Sequence, residues 1–165
     1  MCALRSAALP GGGRIRWLDL AGDGTSRAPA VYVHGLGAAS GTHFAEIATA
    51  ATLVRRRSLL VDLVGFGCSD RPVAFGYALD DHAHAVALAL DAAAAGRVDL
   101  VGHSLGGTVA IALASARPDL VERLVVIEPN LDPWDGGASV TIARQREDEF
   151  VRSGFDALVH EASPE

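Results

Sequence analysis

Cysteine is nearly missing: Cys2 and Cys68 are the only two in 165 residues. Two cysteines, one of them at an N-terminus expected to be mobile, make neither a disulfide framework nor a zinc site, and their scarcity fits a reducing compartment. Long apolar runs are missing as well, since none approaches the ~20 residues needed to span a bilayer. The opening Met1-Cys2-Ala3-Leu4-Arg5-Ser6 has no uninterrupted apolar stretch of signal-peptide length before Pro10. The expectation is a cytoplasmic protein with no membrane partner. Positive charge is the third shortage. Fourteen Lys and Arg stand against twenty Asp and Glu, for a net charge of −6. That balance disfavours non-specific attraction to nucleic acid or to anionic lipid. The alanine bias and the preference for arginine over lysine point to a GC-rich genome rather than to a function. There is no internal repeat and no long linker.

What is present is an ordinary globular balance, half apolar and about one fifth charged. A chain of this length makes one domain and can bury roughly two thirds of its unfolded surface. Arg14 to Leu20 alternates polar and apolar residues like a half-buried strand, after a flexible lead-in at Gly11-Gly12-Gly13. Ala30–Val33, Ser58–Leu63, Val98–Val101 and Arg123–Ile127 read as short apolar strands, the kind found in parallel sheets covered on both faces. Between them, Gly41–Val54, Asp80–Ala95 and Leu105–Arg117 read as helices. Asp80 stands at an expected N-cap, Gly96 lies past a helix end, and Pro118 follows the third helix. Alternating strands and helices predict an α/β fold, an open and mostly parallel sheet with helices on both faces. After Pro129 a Pro/Asp/Gly loop leads into a charged helix, with Val151, Phe155, Leu158 and Val159 on one apolar stripe.

Two segments carry chemistry. Val101-Gly102-His103-Ser104-Leu105-Gly106-Gly107 matches G-x-S-x-G between a strand and a helix. Such a turn needs small residues at Gly102 and Gly106 and lifts the Ser104 hydroxyl clear of the sheet as a nucleophile. The second segment, Val31-Tyr32-Val33-His34-Gly35-Leu36-Gly37, is a strand running into a glycine loop. Acyl transfer needs N–H donors aimed at a developing oxyanion, and Leu36 and Leu105 stand where they would be. Gly11-Gly12-Gly13 and Gly35-Leu36-Gly37 form no G-x-G-x-x-G fingerprint, which argues against dinucleotide binding.

These residues, in this order, resemble the α/β-hydrolase superfamily. Asp62-Leu63-Val64-Gly65-Phe66-Gly67-Cys68-Ser69-Asp70-Arg71-Pro72 is similar to the family's loop after its fourth strand. The resemblance covers about residues 14–130, taken as the N-terminal part of the core, with residues 131–165 starting a helical cap. It implies a serine hydrolase acting on a small molecule, an ester, a thioester or an activated carbon–carbon bond, without cofactor or metal. Asp62 and Asp70 are then structural. His34, Gly35 and His103 support the elbow and the glycine loop, with His103 turned away from the nucleophile. The family's triad runs Ser, acid, His. Glu128, at the end of the strand after the elbow helix, is the candidate acid, because some members place it there; more place it one strand later. Asp132 and Asp135 are weaker candidates.

The base has no evident holder. His82 and His84 are two apart on a helix and share no face. His43 reads as a solvated or packing residue. His160 alone follows Glu128, but on the cap helix. The chain therefore reads as the first portion of a larger hydrolase or a natural truncation, weak or inactive as it stands. The alternative is a non-catalytic hydrolase-like module that binds a small molecule or a partner. Either way, Leu124 to Ile127 leave an apolar sheet edge that invites self-association.

Overall fold

The computed structural model describes residues 2–24, 27–50, 55–132 and 137–162. Two compact units divide the chain, Met1–Pro129 and Asn130–Glu165.

The first unit is a six-stranded sheet in the order β1-β2-β4-β3-β5-β6. The strands are β1 (Cys2–Ala8), β2 (Arg14–Leu20), β3 (Ala30–Val33), β4 (Ser58–Asp62), β5 (Val98–His103) and β6 (Val121–Ile127). The β3–β4, β3–β5 and β5–β6 pairings are parallel, whereas β1–β2 and β2–β4 are antiparallel. The sheet is thus mixed and mostly parallel, as expected. Its helices are α1 (Ser40–Thr49), α2 (Leu79–Ala92) and α3 (Leu105–Ala116). Alternation along each strand sorts the core into two layers. Val31, Val33, Leu59, Val61, Leu63, Val98 and Leu100 pack with α2 and α3. Ala30, Tyr32 and Leu60 point the other way, onto Phe44 and Ala48 of α1. Five of the seven buried residues of α2 are alanine or valine, so α2 lies close on its neighbours.

Four expectations need correction. The N-terminus is strand β1, laddered from Cys2↔Leu20 to Ala8↔Arg14, rather than a mobile end. Gly11-Gly12-Gly13 is not a flexible lead-in but the turn of that hairpin. Leu9 N–H reaches Gly13 O at 3.0 Å, and Gly12 and Gly13 take φ of 94° and 80°, which only glycine adopts cheaply. Asp80 is not the N-cap of α2. Ala78 occupies that place, and Asp81, three residues on, accepts the Ala78 N–H at 3.1 Å. Finally, β5 runs on to His103 because Gly102 and His103 pair with Val126 and Ile127. The predicted helix from Gly41 agrees with α1 to Thr49 but stops short of Val54, since Ala50 turns extended with ψ 142°; the stretch 51–54 lies outside the described residues.

In the second unit, α4 (Gly137–Ala143) is followed by α5 (Glu147–Glu149), a π-helical turn (Phe150–Gly154) and α6 (Phe155–Ala162). Of the predicted stripe, Val151 and Phe155 are exposed, and the side chains of Leu158 and Val159 lie outside the described residues.

Candidate active site

Ser104 stands alone between the end of β5 and the start of α3, with φ 51° and ψ −120°. Its N–H donates to Ile127 O of β6 at 2.9 Å, and its carbonyl accepts from Gly107 N at 2.9 Å and Thr108 N at 3.1 Å. Glycine is required on both sides. A Cβ on Gly102 would come 2.7 Å from Gly107 Cα, and one on Gly106 would come 2.7 Å from the Val33 carbonyl carbon. The loop after β3 lies against the same turn, since a Cβ on Gly35 would meet Ser104 Cβ at 3.2 Å and His103 Nδ1 at 2.9 Å.

That contact brings Leu36 and Leu105 to the neighbourhood of Ser104. Leu105 opens α3, so its N–H has no intrahelical acceptor and lies at the positive end of the helix. Among the described residues, neither Leu36 N–H nor Leu105 N–H makes a hydrogen bond. Ser104 thus sits on a strained turn against the loop after β3.

His34 fixes the glycine loop from beneath. Its ring is fully buried; Nδ1 lies 2.7 Å from Gly35 O, and Nε2 lies 3.0 Å from Leu63 N. Leu63 N–H must donate to Nε2, so the proton is on Nδ1 and the ring is neutral. Burial, the larger effect, holds its pKa below the usual 6.5, outweighing the Gly35 hydrogen bond and the Asp62 charge. The strand β4 end is tied in turn by Asp62, whose carboxylate accepts from Ser40 N at 2.7 Å and from Cys68 N at 2.8 Å. Asp70 pairs with Arg16 instead, and that hydrogen bond lowers its pKa.

His103 stacks on His43 with ring centroids 4.7 Å apart. Its Nδ1 is buried without a partner among the described residues, and its Nε2 lies 3.9 Å from the Glu128 carboxylate, too far for a hydrogen bond. Glu128 itself adopts φ 48°. Neither the stack nor this backbone strain had a sequence signal, because the stack joins segments sixty residues apart. Among the described residues, no histidine ring hydrogen-bonds the Ser104 hydroxyl. His82 is buried against Phe75, with its Nδ1 unpartnered, whereas His84 is exposed. His160 and Asp132 belong to the second unit, and Asp135 lies outside the described residues. No cluster of three or more His, Cys, Asp or Glu suited to a metal occurs among the described residues.

The chain is similar to several known proteins. Over 101 residues the chain is 39% identical to 2-hydroxy-6-oxo-2,4-heptadienoate hydrolase of Pseudomonas putida, covering 60% of this chain and 36% of that protein. It is 47% identical over 68 residues to the lipase LipV of Mycobacterium tuberculosis, covering 41% of this chain and 25% of LipV. A serine-to-alanine mutant of the meta-cleavage product hydrolase of Pseudomonas fluorescens IP01, complexed with acetates, superposes with a TM-score of 0.64. Its identity is 28%, with 76% of this chain and 44% of that one covered. The matched stretch is thus about a quarter to a third of the length of these curated relatives. Residues 29–153 match the profile described as alpha/beta hydrolase fold. The chain belongs to the alpha/beta hydrolase fold family.

Proposed function

We propose that this chain carries the nucleophile and oxyanion elements of a serine hydrolase whose substrate is a small carbonyl compound. Ser104 attacks the carbonyl carbon of an ester, a thioester or a ketone flanking an activated carbon–carbon bond. The N–H groups of Leu36 and Leu105 take the charge that develops on oxygen. Glu128 is the acid that would orient the base, and residues 131–165 start a helical cap segment. No cofactor enters the scheme. The observation that carries the reading is the left-handed backbone of Ser104, wedged between Gly102, Gly106 and Gly35. Strain of this kind persists only where the surroundings impose it, and it gathers at reacting residues.

The hydroxyl proton needs an acceptor, and the described residues of the first unit offer no imidazole bonded to it. Turnover by these 165 residues is therefore weak. Without its base a triad retains on the order of 10³–10⁴-fold acceleration over water. The unplaced base favours a second reading, a non-catalytic module that binds a small molecule or a partner.

Labelling with a fluorophosphonate separates the two. Covalent capture lost in Ser104→Ala supports the hydrolase. Absence of capture by a folded wild type supports the binding module. Short-chain nitrophenyl ester turnover by wild type, Ser104→Ala, Glu128→Gln and His160→Ala then ranks the roles. A low rate, sensitive to Ser104 and indifferent to His160, is expected. Robust turnover abolished by His160→Ala would make the cap histidine the base.

A further inference from the structure

We propose that the edge of the sheet opposite Ser104 carries a binding site for a small dianion, a phosphate monoester or a dicarboxylate. A shallow cavity of about 490 Å³ lies there, lined by Arg5, Arg27, Arg55 and Arg57, with Asp19 as its one carboxylate. Ser104 follows the carboxyl end of β5, whereas Pro29 and Arg57 precede the amino ends of β3 and β4. The lengths of these strands put the two places roughly 15 Å apart. In a chain of net charge −6, four of the fourteen cationic side chains thus meet in one hollow.

The hollow is built by the run Arg55-Arg56-Arg57, whose members go three ways. Arg56 turns inward to Asp99 and to the carbonyls of Ala28 and Pro29. Arg57 is committed to Asp19 through two hydrogen bonds, at 3.0 and 2.7 Å, and to Ala93 O at 2.9 Å. Among the described residues Arg55 spends only its Nε, on Asp23 at 2.6 Å, leaving the rest of its fork to the cavity. Arg5 on β1 and Arg27 have no partner among the described residues. Gly22 lets the wall close, since a Cβ there would press 2.5 Å from Arg57 N and 2.7 Å from Arg55 O. Asp23 N–H then bonds Arg55 O at 3.0 Å.

Counting charges, Asp19 neutralises Arg57, and Asp23 takes one edge of Arg55. Two whole guanidinium groups and part of a third remain for a ligand. Guanidinium forks hold planar or tetrahedral oxyanions bidentately, and two of them match two negative charges. Like charges gathered in a concave surface repel one another, and a bound anion offsets that repulsion.

Isothermal titration calorimetry at low salt tests the site, with inorganic phosphate in one arm and succinate in the other. Binding of at least one, with a Kd near ~1 mM or tighter, is expected. It should weaken by about tenfold or more in Arg5→Gln/Arg27→Gln and stay unchanged in Arg71→Gln, an exposed arginine elsewhere. Phosphate alone binding identifies a phosphate ester as the ligand class, and succinate alone a dicarboxylate. No heat from folded wild type with either anion overturns the proposal. So does equal weakening in Arg71→Gln, which would mean general charge attraction. If the double variant fails to fold, Arg55→Gln replaces it, with the same weakening expected and unchanged affinity overturning the site.

Discussion

Ser104 and Glu128, the residues that follow the neighbouring parallel strands β5 and β6, both hold left-handed backbone, with φ of 51° and 48°. The Ser104 N–H donates to Ile127, the residue directly before Glu128. Two strained positions therefore share one hydrogen-bonded corner. A side chain in such a conformation costs on the order of 1–3 kcal/mol.

Strain relief gives the first prediction. Glycine tolerates the Ser104 backbone, so Ser104→Gly should raise stability by about 1 kcal/mol, after the glycine entropy cost offsets part of the gain. Ser104→Ala keeps the Cβ and should not. Both abolish fluorophosphonate capture. Urea unfolding compares them, and equal stabilities would mean that the corner is unstrained.

The glycines on either side should behave in the opposite way. Gly102→Ala and Gly106→Ala place a methyl against backbone that cannot move without dragging α3 or β3. Each should cost about 3 kcal/mol or more, at the upper end of overpacking effects. Gly37, with open space around it but φ 73°, should cost less on substitution by alanine. Thermal melts of the three variants check the order.

His34 and His82 make stability depend on pH. Burial is the main cause that holds both rings below the usual 6.5 in the folded chain. Above about pH 6.5 both states are neutral, so this contribution is fully present. As pH falls below 6.5 the unfolded chain takes up protons that the folded one does not, and stability drops until the lowered folded values are passed. The urea midpoint should therefore fall between about pH 7.5 and 5.5. His34→Gln should flatten part of that slope, and an unchanged slope would remove His34 as a source.

Leu124, Val125, Val126 and Ile127 of β6 are each between 37% and 49% exposed. Such a strand, free of proline and with charge only at Glu122 and Arg123, is a template for another chain. We expect concentration-dependent association in sedimentation velocity. Val125→Lys should suppress it without loss of fold, since Val125 is already half in water. A monomeric wild type at tens of micromolar would set the idea aside.

Much of this was legible beforehand, for physical reasons. β3 was read to the residue because Ala30–Val33 is apolar on both faces, the pattern of a central parallel strand. The elbow was legible because its geometry admits only glycine at fixed offsets. β1 was not, because an edge strand half in water carries Arg5 and Ser6 and shows no clear alternation. The N-cap at Ala78 was hidden because Asp80 and Asp81 both look like caps, and only the fold decides which carboxylate reaches the free N–H. The His43–His103 stack and the arginine hollow could not be read at all. Each joins residues far apart in sequence, and no periodicity records that.

The place of β3 in the sheet sets an order of assembly. It lies between β4 and β5, pairing Val31 with both Leu59 and Leu100. The β1–β2 hairpin closes a short loop and can form early. The Val31–Leu100 pairing must close a loop of about seventy residues, and Ser104 gains its bond to Ile127 only after β6 has docked. Long closures are slow, because their entropy is lost before the contacts reward it. A nascent chain would therefore hold a hairpin first and its reactive corner last. In pulsed hydrogen exchange the amide of Ser104 should gain protection well after that of Leu4 or Trp17, so a partly made molecule exposes no poised hydroxyl.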